Sequence, residues 1–225
     1  VFYTTSNLRN RDGPLKVIGD RAGRLQCDGH ECFDGLDPDR ITRIGCWAHV
    51  RRYFEKARRR GDEYAEQPLK WIRQLFAIER HAKKANDGKP LGDDALLALR
   101  REKSAKVVAA FKNWVDQMRL DPPSLPSGQL MKGVVYARNQ WPTLVRFLED
   151  PRIREISNNG CERALRALVI GRNNWQWFGS ESGARTAVVL MTLVQSCQEH
   201  GIHPLPYLRD VLREVSTTTS SQVRE

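Results

Sequence analysis

The 225-residue sequence has no apolar run near the roughly 18 to 20 residues that a bilayer-crossing helix requires, so no membrane-spanning helix and no membrane partner are expected. Its cysteines number only five, an odd count scattered along a chain without a recognisable secretory leader. A disulfide framework is therefore not expected, and a reducing cytoplasm is. Acid is the scarcer charge: 27 aspartates and glutamates stand against 37 lysines and arginines, for a formal net charge of +10. Internal repeats are missing, as are low-complexity tracts apart from a Ser/Thr-rich polar tail over 216–225, which is expected to be disordered. No methionine opens the chain, and Val1 to Thr5 reads as a strand already in progress, so further sequence is expected upstream.

What is present suits a globular chain, since 40% hydrophobic residues suffice to build a core. The basic excess, carried more by arginine than by lysine, suits a polyanionic partner, because arginine forks onto phosphate and each neutralised phosphate releases counterions. A solvated basic surface is the plain alternative on charge alone.

Along the chain, Asn10 to Pro14 supplies turn chemistry and Pro14 to Asp20 a short helix. Gly23 to Gly29 is a short apolar strand ending in an acid, Asp28, and a glycine. Ile41 to Ala48 reads as a second strand, followed by a helix from His49 to about Arg60 with Val50, Tyr53, Phe54 and Ala57 on one face and arginines on the other. Helices are predicted over Glu66–Asn86, Asp93–Leu120 and Ser127–Leu148. Ile156 to Asn159 offers capping side chains to a helix from about Gly160 to Ile170, with Glu162 in its first turn and Leu165, Leu168 and Val169 as its buried stripe. Trp175 to Phe178 reads as extended, Gly179 to Gly183 as a loop, Ala184 to His200 as a buried helix stopped by Gly201, and Pro204 to Val215 as a last helix.

Two acids stand out by position, Asp28 and Glu162. Carboxylates that converge can hold hard divalent cations, and paired cations stabilise the attacking and leaving oxygens of a phosphodiester. Taken alone, each acid reads more readily as an ordinary surface carboxylate than as a metal ligand. Cys46 and His49 have the C-x-x-H look of half a zinc site, with Cys27 and Cys32 nearby in sequence, but no clean second pair follows. Cys46 and Trp47 are better read as core residues, with His49 near a cleft. The run Arg51, Arg52, Lys56, Arg58, Arg59, Arg60 is a basic helical face suited to a DNA backbone, or else simply solvated. Trp175, Trp177 and Phe178 could stack on an unpaired base, though burial is the simpler reading.

The motifs around the two acids are more specific than the acids. Leu25-Gln26-Cys27-Asp28-Gly29-His30, Gly45-Cys46-Trp47-Ala48-His49-Val50-Arg51-Arg52-Tyr53-Phe54 and Asn158-Asn159-Gly160-Cys161-Glu162-Arg163-Ala164-Leu165-Arg166 closely resemble the DDE transposases of the insertion-sequence 66 family. The resemblance continues through Gly171-Arg172-Asn173-Asn174-Trp175, Phe178-Gly179-Ser180, Gly183-Ala184-Arg185 and Tyr207 to Leu212. Ser157 stands where the family usually has an acid, and His30 where it usually has an aromatic.

The resemblance implies an α/β fold, an incomplete ribonuclease-H-like core with a large all-helical insertion and a helical C-terminus. On this reading 1–60 holds the remaining strands and first helix of the core, 61–150 the insertion, and 151–215 the catalytic helix and C-terminal segment. It implies that Asp28 and Glu162 are the second and third acids of a catalytic triad and ligands of Mg2+, two ions in the complete enzyme, with Mn2+ as a substitute. The first acid would lie upstream, since Asp12 and Asp20 sit beside turn signals. Such a chain would be inactive alone, and a non-catalytic DNA-binding remnant is the alternative. Asn158, Asn159, Arg166 and His49 would support the acids; Arg51, Arg52, Arg58, Arg59, Arg163 and Arg172 would meet phosphate. The implied partners are transposon-end and target DNA, further copies of the chain assembled on that DNA, and accessory proteins of the same element, in a bacterial cytoplasm at the nucleoid.

Overall fold

The computed structural model describes residues 3–4, 12–120, 128–175 and 178–217, and for some helical residues among these only the backbone. These residues are mostly helical, with one two-stranded parallel sheet, which agrees with the α/β expectation at that coarse level. They fall into two compact units, Ile18–Asn159 and Val1–Val17 with Gly160–Glu225.

In the first of these, β1 (Gly23–Gln26) pairs in parallel with β2 (Ile41–Ile44), Gly23 opposite Ile41 and Gln26 opposite Ile44. Parallel strands need a crossover, here supplied by 27–40 with a 3-10 turn at Glu31–Phe33. Cys27 N donates to Ile44 O (3.1 Å), carrying the ladder one residue past β1 and leaving Asp28 just beyond the sheet's edge. The predicted strand Ile41 to Ala48 is shorter in the structure, because Gly45 N turns to Thr143 O (3.0 Å) and Trp47 N to Ile156 O (2.9 Å). Both bonds lead away from β1, and α2 (Trp47–Arg58) begins there.

The helical spacing read in α2 is realised: Val50, Phe54 and Ala57 are fully buried and the arginines face out. That face packs on α3 (Glu66–Ala82), on α5 (Ala105–Leu120) and on α6 (Gly128–Asn139) in one hydrophobic cluster. Trp47 is its hinge, edge-on to Phe111 at 5.2 Å, with Nε1 donating to Leu144 O (3.0 Å). A Cβ on Gly133 would stand 3.0 Å from the Phe54 ring, so glycine is what lets α6 lie this close to α2.

Three predicted helices are shorter or broken. The first ends at Ala82, because Asp87 (φ 47°) and Gly88 (φ 82°) form a tight turn bridged by Asn86 and Lys89. Asp93–Leu120 runs as α4 (Asp93–Leu99) and α5 with a π-helical turn at Arg100–Ser104 between them. The helix predicted over Ser127–Leu148 begins at Gly128, its first residue lying outside the described set. It breaks at Gln140 before α7 (Trp141–Leu144), since Pro142 cannot donate into a continuing helix.

In the second unit, α1 (Asp12–Ile18) starts earlier than expected, with Pro14 tolerated in its first turn. Val1, Phe2 and Thr5 lie outside the described residues. Tyr3 and Thr4 are in no strand; buried Tyr3 instead donates from Oη to Ala164 O (2.5 Å) and from N to Thr192 Oγ1 (3.1 Å). Those partners lie on α8 (Asn159–Trp175) and α9 (Glu181–Glu199), and α10 (Pro204–Thr217) follows. Trp175 is helical rather than extended, whereas Gln176 and Trp177 are not described. Ser180 Oγ caps Gly183 N (3.0 Å), so α9 starts inside the predicted loop. Leu165 and Val169 are 45% and 60% exposed, against the predicted stripe, and the side chain of Leu168 is not described. On α9 only Val188 and Cys197 are buried among the described residues, so the expected buried helix is a half-exposed one; Gly201, at φ 68°, follows its end as predicted.

Candidate active site and basic groove

Asp28 reaches solvent with about a third of its side chain exposed. His30 N donates to its Oδ1 (3.2 Å), which fixes the carboxylate over the turn, and His49 Nε2 lies 3.6 Å from its Oδ2. No lysine or arginine among the described residues pairs with it, although its unit contains many that pair elsewhere: Asp34 with Arg43, Asp150 with Arg24 and Arg152, Glu55 with Arg51 and Arg58.

The turn is held from behind by α6. Gly29 N donates to Tyr136 Oη (3.0 Å), and the Tyr136 ring lies against Tyr53 of α2 with centroids 4.8 Å apart. Burial pushes the Tyr136 hydroxyl well above its ordinary pKa; the Gly29 bond opposes that and the nearby Asp28 charge adds to it. Tyr136 therefore stays protonated and neutral beside the acid. A Cβ on Gly29 would come within 2.8 Å of the Tyr136 ring, so a rigid aromatic must move. Gly29→Ala is expected to cost about 1 to 3 kcal/mol in urea unfolding, as overpacking does; an unchanged midpoint would contradict this packing. Tyr136 left no mark in the sequence reading, because a tyrosine on a helix looks the same whether it braces a site or not.

His49 sits in the first turn of α2, its Nε2 also 3.0 Å from Arg52 Nη1. Cys46, just ahead of α2, is buried; its thiol donates to Asn158 Oδ1 (3.0 Å) and Asn158 N returns to the sulfur (3.4 Å). Together with the Trp47 to Ile156 bond, this fastens the segment leading into α8 to the start of α2. The amide of Asn158 is thus occupied with Cys46, a partner that the sequence reading did not foresee.

Asn159 lines a groove of about 530 Å³ with Ala48, Arg51, Arg52, Glu55, Lys56, Arg58 and Arg59. The arginines are not equivalent. Burial would raise the pKa of Glu55, but the hydrogen bonds and charges of Arg58 and Arg51 outweigh it and hold the carboxyl below the usual range. Arg51 and Arg58 are thereby partly neutralised, at 3.2 and 3.0 Å from Glu55. Lys56 and Arg59 make no ion pair among the described residues.

The structure thus brings Asp28, His49 and Arg52 together, and Asn159 with Arg51, Arg52, Arg58 and Arg59. Glu162, half-buried, and Arg163 and Arg166, exposed, lie on α8 in the other compact unit. Arg172 is also on α8, but its side chain lies outside the described residues. Among the described residues no group of three or more His, Cys, Asp or Glu side chains forms a ready metal cluster, and no helix is long and apolar enough to cross a membrane.

The family model described as Transposase IS66 family matches residues 1–186. The chain belongs to that family. Three proteins of Sinorhizobium fredii are similar to this IS66-family chain over nearly its whole length. The protein y4hP is 30% identical over 96% of the chain and 41% of its own length; y4qI is 31% identical over 96% and 40%; y4jD is 26% identical over 99% and 44%. All three are described as uncharacterized, and the chain spans about two fifths of their length. No solved structure matches the chain.

Proposed function

We propose that this IS66-family segment serves metal-dependent cleavage of transposon ends and strand transfer into target DNA, with Asp28 and Glu162 as two carboxylates of an acidic triad in a ribonuclease-H-like catalytic domain. The observation that carries the reading is Asp28 itself. It is a solvent-reaching carboxylate at the end of a parallel strand, left without an arginine partner beside an arginine-lined groove, in a chain of a transposase family.

The donor set at Asp28 fits a hard divalent cation, which wants exposed carboxylate oxygens not already neutralised. Asp28 and Glu162 would hold it, Mg2+ in the first instance, and when bound it supplies Lewis-acid stabilisation of the attacking and leaving oxygens. The rest falls to the chain. Tyr136 and Gly29 fix the strand end that carries Asp28, Asn158 and Asn159 set the start of the helix that carries Glu162, and arginines of the groove hold the DNA backbone. Glu162 lies three residues beyond Asn159, about one helical turn along α8. Arg163 and Arg166 flank it for phosphate. No covalent enzyme intermediate is required, because water and then a 3′ hydroxyl serve as nucleophiles.

The test is cleavage of a duplex carrying the element's end by a protein of the relatives' full length that includes this segment. Cleavage is expected with Mg2+ and should stop on chelation while DNA stays bound; cutting that persists in chelator would end the metal reading, and a protein that binds but never cuts would be the non-catalytic remnant. For the groove, Lys56→Ala or Arg59→Ala should weaken binding uniformly across sequences and each flatten the slope of log K against log salt by about 0.9. Arg58→Ala, which also leaves Glu55 with Arg51 as its remaining arginine partner, should change the slope by a different amount. Unaltered slopes in the first two would show that DNA does not follow this groove.

A further inference from the structure

We propose that Glu55 is a built-in stand-in for a DNA phosphate: its carboxylate holds Arg51 and Arg58 while the groove is empty and yields both to backbone phosphates when DNA enters. The contact is self-inhibitory, limiting the groove's grip on DNA of any sequence. The inference rests on the reading above that DNA follows this groove.

Three observations lead here. The first is where the carboxylate sits. Among the described residues lining the groove, Glu55 is the acid set against Arg51, Arg52, Lys56, Arg58 and Arg59. It meets its two arginines as a phosphate would, with one oxygen for each: Oε1 accepts from Arg51 Nη2 (3.2 Å), and Oε2 from Arg58 Nη2 (3.0 Å) and Nε (3.3 Å). Guanidinium donors fit carboxylate and phosphate oxygens alike. Glu66, 3.7 Å from Arg58 Nε, lies beyond hydrogen-bond reach.

Second, the pairs are exchangeable. The Arg51 and Arg58 side chains are 47% and 46% exposed, and ion pairs this open to water contribute little. A duplex offers a row of phosphates whose neutralisation also releases counterions, so both arginines gain by changing partner. Third, the fold does not call for this carboxylate. The buried face of α2 is Val50, Phe54 and Ala57, and Glu55 is outside the hydrophobic cluster they join. The last turn of the helix closes on the Glu55 main chain, whose oxygen accepts from Arg59 N (3.0 Å), whatever the side chain.

The exchange leaves one negative charge facing the phosphates. Removing it makes the groove more positive by one unit, which at about 0.15 M salt corresponds to about fivefold in affinity and about 0.9 in the slope of log K against log salt.

The experiment uses the 225-residue chain and a short duplex of arbitrary sequence. Glu55→Gln should tighten binding about fivefold and steepen the salt slope by about 0.9; Glu55→Ala should do the same. Affinity that is unchanged or weaker in both variants overturns the proposal. Because removal of a repulsive charge would also tighten binding, the exchange itself is read by nuclear magnetic resonance. The signal is the side-chain Nε–H of Arg58, assigned by its loss in Arg58→Ala. Without DNA, wild type and Glu55→Gln should differ at this resonance, since only the wild type has the carboxylate there. With DNA bound, the two should coincide. A wild-type Arg58 signal that keeps its DNA-free position on binding, while Lys56→Ala and Arg59→Ala still flatten the salt slope, shows that Glu55 never lets go; it overturns this inference and leaves the groove reading standing. DNA binding that moves neither the Arg58 signal nor those slopes overturns the groove reading and this inference with it.

Discussion

Asp28→Asn and Glu162→Gln, each introduced into a protein of the relatives' full length, are expected to lower Mg2+-dependent strand cleavage by about 10³-fold or more while DNA retention persists. The size follows from the job proposed for them: a bound ion contributes several kcal/mol of charge stabilisation in the transition state, and each 1.36 kcal/mol or so is a factor of ten in rate. Both changes remove a charge while nearly preserving shape. The introduced amide would still present an oxygen to the His30 N–H that now meets Asp28 Oδ1 at 3.2 Å, so the turn and its packing on Tyr136 should survive. That makes the experiment specific to the carboxylate. Gel assays of cleavage and of binding on the same substrate separate the two outcomes, and wild-type cleavage rates in either variant would remove that residue from the assignment.

Arg100→Met is expected to cost about 3 to 5 kcal/mol of stability, the range for breaking a buried ion pair from one side. Arg100 is fully buried in the π-helical turn, forked onto Glu79 with Nε to Oε1 at 2.9 Å and Nη2 to Oε2 at 2.7 Å. The same guanidinium also donates to Phe147 O (2.7 Å) and Ile153 O (2.8 Å). Replacing a buried pair by apolar residues on both sides is often close to neutral. Here it should not be. The double variant Glu79→Met with Arg100→Met would relieve the stranded carboxylate but leave two buried carbonyls without their donor, each a penalty of about 1 to 3 kcal/mol. Urea midpoints of the two singles and the double decide it, and a double variant as stable as the wild type would show that the carbonyl bonds contribute little. The loss should also reach the candidate site, because the segment that Arg100 fastens runs on to Ile156 and Asn158, which are bonded to Trp47 and Cys46 at the start of α2.

Arg100 also marks where sequence reading fails. In the sequence it is one arginine among 37 basic residues, in a helical stretch read as continuous. Nothing local distinguishes it from Arg101, because the carboxylate and carbonyls that bury it come from positions 21 to 53 residues away. The same holds for the groove. The basic face of α2 was legible from its spacing, but which arginines Glu55 neutralises depends on rotamers one turn apart. The apolar positions of α8 misled for a related reason: Leu165 and Val169 have the spacing of a buried stripe, yet periodicity says only that a helix has an apolar face, and what covers that face is another element's business.

By itself the sequence determined the kinds of element and much of their order, because a period of 2 or 3.6 and the turn chemistry of Asp, Asn, Gly and Pro are local properties of the chain. It also determined the family, through long motifs in a fixed order. Only the tertiary structure decided that Asp28 faces His49 rather than an arginine, that Tyr136 and Gly29 brace its turn, and that Cys46 grips Asn158 from 112 residues away. Those contacts exist because separate helices and strands pack in one particular register, and no window of sequence contains both partners.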